Sequence, residues 1–77
     1  MTKKIILTSI AEIQSFVNSV SVFNCKIALI TERYTIDAKS IIGIFSLDLS
    51  KPITMEVDDL TMAESVFSKI SNFIVKE

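Results

Sequence analysis

The groups in this chain that could do chemistry are hydroxyls, one thiol and a few carboxylates, and no histidine accompanies any of them. The commonest general base and phosphoryl-accepting nitrogen is therefore missing. The most informative hydroxyl is Ser40. It follows Lys39 and opens the run Ile41, Ile42, Gly43, Ile44, Phe45, Ser46, Leu47. A serine there reads as a helix N-cap, worth about 1 kcal/mol. The same position faces free N–H groups and the positive end of the helix dipole, which also favour a phosphate. Thr8 and Ser9 offer further hydroxyls, but no base stands by to activate them. Cys25 reads as a small buried hydrophobe, again with no histidine to make a thiolate. Asp58 and Asp59 precede a helical segment, where carboxylates serve as turn and cap residues. With one cysteine, no histidine and no calcium-loop spacing of carboxylates, neither a metal site nor a cofactor is expected.

These residues need elements to position them. Residues 3–8 are rich in β-branched side chains and predict a first strand. The period then changes: Ile10, Ile13, Val17 and Val20 recur at helical steps, with Phe16 widening the stripe. Ser9 and Glu12 have the spacing of a capping box, serine holding a backbone N–H and glutamate reaching back. Residues 25–31 and 34–38 alternate as strands, with Cys25, Ile27 and Leu29 on one face. Glu32 and Arg33 lie between them. Neither suits the positive φ of the favoured two-residue hairpins, so strain or a longer loop is expected. The short apolar helix from Ser40 ends near Asp48, and Ile53, Met55 and Val57 mark another strand behind Pro52. Thr61 and Glu64 suggest a second capping box, opening a closing helix whose inner face is Ala63, Val66, Phe67, Ile70, Phe73 and Ile74. The order β-α-β-β-α-β-α, with one apolar face per strand, predicts an α+β fold: an antiparallel sheet covered by helices on one side.

Composition narrows the function further. Seventy-seven residues predict one domain spanning 1–77, burying about 60% of the surface that its unfolded chain exposes. Hydrophobic residues make up 49% of the chain, so an exposed apolar patch or self-association is expected. Eight basic and nine acidic residues are scattered without a basic run, which argues against nucleic acid as a partner. The apolar runs fall far short of the roughly 20 residues that span a bilayer, so no membrane partner is expected. With no leader signature read at the start and a lone cysteine, a reducing cytoplasm is the expected setting.

The run Lys39, Ser40, Ile41, Ile42, Gly43, Ile44, Phe45, Ser46, Leu47, taken with the element order, resembles the HPr family. These are the small phosphocarriers of the bacterial phosphoenolpyruvate-dependent sugar phosphotransferase system. Many members carry a similar Lys-Ser-Ile-x-Gly-x-x-Ser-Leu run with a regulatory serine at the start of the second helix. The resemblance implies an open-faced β-sandwich: a four-stranded antiparallel sheet of order 1-4-2-3 with three helices on one face. It also implies that Ser40 is the counterpart of the serine phosphorylated by HPr kinase, a form that binds a catabolite-control regulator. The family's other half is missing. Members carry a phosphorylatable histidine before the first helix, followed by Ala/Thr-Arg-Pro. Here that region reads Thr8, Ser9, Ile10, Ala11, Glu12, and the connection is shorter.

The expectation is thus a non-enzymatic, HPr-like module that does not relay phosphate through histidine and binds protein partners. Ser40 is the candidate phosphorylation site, and Lys39, Ile41, Ile44 and Phe45 are the candidate partner contacts, on the expectation that the three apolar side chains stay exposed. The rival reading is a structural domain whose apolar second helix forms a homodimer seam. Gly43 is read as a point of close backbone approach, costing about 1 kcal/mol in helix propensity.

Overall fold

A computed structural model describes residues 1–47 and 49–75. Its elements run β1 (Thr2–Ile5), α1 (Ile10–Val20), β2 (Ile27–Ile30), β3 (Thr35–Asp37), α2 (Ile41–Phe45), β4 (Ile53–Val57) and α3 (Leu60–Lys69), followed by a 3-10 turn at Ser71–Phe73. The sheet is antiparallel throughout, in the order β1-β4-β2-β3. The topology is the expected one: α+β, four strands ordered 1-4-2-3, three helices.

Alternation decides which face is buried. Ile5, Ile27, Leu29, Ile53, Met55 and Val57 are all buried, while Lys4, Ala28, Ile30, Thr54 and Glu56 lie at or near the surface. The helices supply the opposing layer with Ile13, Phe16 and Val20 from α1, Ile44 from α2, and Ala63, Val66 and Phe67 from α3. These side chains form one cluster, and among the described residues no polar or charged one is buried. The hydrophobic effect therefore acts on a single continuous core.

Local chemistry moved several boundaries. β1 ends at Ile5 instead of Thr8, although Leu7 beyond it is still buried. Ile10 belongs to the helical period but sits in the first turn of α1, above the core, and is exposed. The capping box at α1 is displaced by one residue. Ser9 accepts from the Glu12 N–H at 3.2 Å, but Glu12 reaches past Ser9 to the N–H and hydroxyl of Thr8, both at 2.7 Å. The expected box at Thr61 is not formed, because Asp59 caps α3. Its carboxylate accepts from the Thr61 N–H at 2.9 Å and the Thr61 hydroxyl at 2.6 Å, so Thr61 already lies inside the helix.

The β2–β3 connection avoids positive φ. Thr31 donates its N–H to the Tyr34 carbonyl at 2.8 Å, and the Thr31 Oγ1 accepts from the Tyr34 N–H at 3.1 Å. Among the described residues no non-glycine has positive φ. A side-chain staple replaces the strained turn. The closing helix stops at Lys69, short of the expected Phe73 and Ile74, which instead fold back against β1. The expected end of the second helix near Asp48 lies outside the described residues.

Candidate functional site

The two hydroxyl-bearing helix starts are built differently. At α1, Ser9 provides the cap and Glu12 fills the space in front of it. The Thr8 hydroxyl and N–H both hydrogen-bond this carboxylate and hold it below the usual glutamate range, outweighing an opposing effect of desolvation. A negative charge already occupies the helix start. An incoming phosphoryl group there meets like-charge repulsion, with no imidazole to receive it.

At α2 the cap is Ser40, with extended backbone (φ −95°, ψ 99°) and its Oγ accepting from the Gly43 N–H at 3.2 Å. The first turn of this helix contains no acidic residue. The Ser40 N–H donates to the Asp37 carbonyl at 3.0 Å, and Asp37 Oδ1 accepts from the Lys39 N–H at 2.9 Å. A tight Asx-type turn thus carries the chain from β3 into α2. Ser40 itself is half-buried.

Lys39 adjoins Ser40 in sequence, but its ammonium is committed elsewhere. Its Nζ donates to the Phe23 carbonyl at 2.6 Å and the Cys25 carbonyl at 3.2 Å. It therefore ties the start of α2 to the loop leaving α1, and does not stand over the serine hydroxyl. Ser9 caps the opposite end of α1 from the loop that Lys39 holds.

The apolar candidates on α2 divide sharply. Ile44, expected to be exposed, is 0% exposed and packs in the core, so it presents nothing to a partner. Ile41 is half-buried against the core, and Phe45 is 46% exposed. Ile42, which sequence reasoning passed over, is 80% exposed. A signal for it was present. Ile41, Ile44 and Leu47 recur every three residues and form the inward row, which leaves Ile42 and Phe45 as the outward row.

Gly43 is where α2 meets β3. A Cβ added there would lie 2.6 Å from Ile36 Cγ2 and 3.1 Å from the Ser40 Oγ. The glycine thus permits the close approach expected of it, and only a residue without a side chain fits. Cys25 is buried and free, as its small-hydrophobe reading requires. Among the described residues, no group of three histidine, cysteine, aspartate or glutamate side chains could hold a metal ion. Nor is any helix among them long and apolar enough to cross a membrane.

An α+β open-faced sandwich with a serine-capped second helix is the class these features define. No protein-family model matches the chain, and no curated protein matches it in sequence. Solved structures do match. HPr-C-His from Thermoanaerobacter tengcongensis superimposes with a TM-score of 0.74 at 23% identity, over 94% of this chain and 85% of that one. The phosphocarrier protein HPr from Bacillus anthracis str. Ames does so with a TM-score of 0.71 at 22% identity, over 97% of this chain and 96% of that one. The chain has the HPr-like fold. At such identities the likeness fixes the architecture, and function has to be argued from the residues.

Proposed function

We propose that this chain is a regulatory relative of the phosphotransferase-system phosphocarriers, acting in the bacterial cytoplasm by binding protein partners and not by carrying phosphate on histidine. The observation that carries this reading is the contrast between the two helix starts. The start of α1 is filled by the Glu12 carboxylate, whereas the start of α2 offers a serine hydroxyl with no acid in the first turn. Phosphorylation of Ser40 by a kinase of the HPr-kinase type places a dianion against the Gly43 N–H and the positive end of α2. The outward row of α2, Ile42 and Phe45, adjoins that serine and supplies apolar area for a partner such as a catabolite-control regulator. Ile41 contributes at the margin.

Treatment with HPr kinase and ATP tests the reading, with intact-mass analysis followed by regulator binding. The expected product carries one phosphoryl group, is absent for Ser40→Ala, and binds the regulator more tightly than the unmodified chain. Phe45→Asp abolishes that binding without preventing phosphorylation. An unmodified chain that binds no regulator contradicts the reading.

The exposure of Ile42 and Phe45 also favours a second reading, in which α2 is a homodimer seam. Sedimentation at micromolar concentration distinguishes the two. A stable dimer that dissociates on Phe45→Asp supports the seam, and a monomer excludes it.

A further inference from the structure

The two edges of the sheet are protected by different means. β3 is short and lies against α2, while β1 is covered by the chain's own last described residues. After the 3-10 turn, the Phe73 carbonyl accepts from the Ile6 N–H at 2.8 Å, and the Val75 N–H donates to the Lys4 carbonyl at 2.9 Å. Ile74 stands opposite Ile5 in an antiparallel bridge. The Phe73 ring meets Phe16 edge-on, with centroids 6.0 Å apart and planes at 82°. Phe73, Ile74 and Val75 are each only half-buried. Buried Ile70 and exposed, polar Ser71 and Asn72 join them to α3.

Two backbone hydrogen bonds and half-buried side chains are a weak hold compared with the β2–β4 ladder. Segments held this way open at a fraction of the cost of global unfolding. Once lifted, the strap uncovers the Ile6 N–H, the Lys4 carbonyl and the edge of the Phe16 ring. An open strand edge of that kind recruits extended peptides.

We propose that the outer edge of β1 is a strand-acceptor site held closed by Phe73–Val75. Its ligand is an extended, antiparallel segment with an aromatic residue followed by two β-branched apolar ones. The strap itself supplies this specificity: the aromatic ring fills the space beside Phe16 and the following backbone pairs with Lys4. The site lies on the sheet edge opposite β3 and α2, so it is independent of the Ser40 surface. In the intact chain the tethered strap competes at an effective concentration in the millimolar range, so the site opens to an external strand only when the strap is weakened.

Amide hydrogen exchange on the full chain tests the proposal, together with a labelled, end-capped Ser-Asn-Phe-Ile-Val peptide. In the wild type, the Ile6 and Val75 amides should exchange at least about tenfold faster than the slowest amides of β2 and β4, through a local opening. Val75→Pro removes the donor to Lys4 while keeping an extended backbone, and should speed Ile6 exchange about tenfold further. The peptide should bind this variant at least about tenfold more tightly than the wild type and restore Ile6 protection, whereas a peptide with alanine for phenylalanine should not. A variant dimer that the peptide dissociates also supports the proposal, since a second copy then fills the edge. Ile6 exchange that occurs only with global unfolding overturns it, a result readable in the wild type even if the variant fails to fold. Equal peptide affinity for variant and wild type overturns it as well.

Discussion

The starts of α1 and α2 solve the same problem with the same residue and reach opposite chemical states. Each is capped by a serine whose Oγ accepts an N–H three residues on, at 3.2 Å in both. At α1 a glutamate in the first turn reaches back to Thr8, and the positive end of the helix is neutralised from within. At α2 the first turn holds Ile41, Ile42 and Gly43, and the nearby ammonium of Lys39 is tied to loop carbonyls. The difference is one of placement: at α1 a carboxylate sits inside the first turn, whereas at α2 the Asp37 carboxylate precedes the cap and accepts from the Lys39 N–H. Where the family resemblance implies a phosphorylated histidine, this chain has installed a negative charge. Where it implies a phosphorylated serine, the position stays uncharged.

The contrast can be broken or sharpened by substitution. The largest effect belongs to the inward row of α2. Ile44→Ala removes a fully buried side chain and should cost about 2–5 kcal/mol in denaturant unfolding, whereas Ile42→Ala should stay within about 0.5 kcal/mol. Equal costs would mean that α2 does not sort its two rows as described. Gly43→Ala comes next. Its new Cβ collides with the stiff, β-branched Ile36, costing about 1–3 kcal/mol, against about 1 kcal/mol regained in helix propensity. A net loss of up to about 2 kcal/mol is expected from equilibrium unfolding, and a gain in stability would show that α2 and β3 are less closely packed.

Removing the caps compares the two starts directly. Ser9→Ala and Ser40→Ala should each cost about 1 kcal/mol. Only the first of these helix starts holds a carboxylate in its first turn whose pKa is shifted. The Thr8 hydrogen bonds lower the folded-state pKa of Glu12, so its contribution to stability is present above the ordinary glutamate pKa of about 4.3 and is lost as pH falls below it. Asp59 is lowered in the same direction by Thr61, so a global unfolding curve mixes the two carboxylates. A residue-specific readout separates them. The Thr8 amide shift should titrate below the usual glutamate range and stop doing so in Glu12→Gln, while the Gly43 amide should show no such step from its own helix.

Much of this arrangement was legible in the residues. Alternation in Cys25, Ile27 and Leu29 gave the buried face of β2, and the helical steps through Ile13, Phe16 and Val20 gave the inner face of α1. What escaped depended on geometry that spacing does not encode. Thr61 and Glu64 have the letters of a capping box, but Asp59, two residues earlier, takes the cap because its short carboxylate reaches the Thr61 N–H first. The helical period continues through Phe73 and Ile74, yet the helix ends at Lys69 because the chain turns back to cover β1. In α2 the three-residue row of Ile41, Ile44 and Leu47 was readable. With five apolar residues crowded into one short helix, however, composition alone did not say which would face outward. The commitment of Lys39 to the carbonyls of Phe23 and Cys25 is a contact across 14 to 16 residues of sequence, beyond the reach of any local pattern.

The most direct test sets the two helix starts against each other in one phosphorylation assay. The chain is incubated with Enzyme I and labelled phosphoenolpyruvate in one arm, and with HPr kinase and labelled ATP in the other, and the label is mapped to residues. No label is expected from Enzyme I, and a single acid-stable label on Ser40 is expected from the kinase. Label acquired from Enzyme I, or a kinase label that persists in Ser40→Ala, would contradict it.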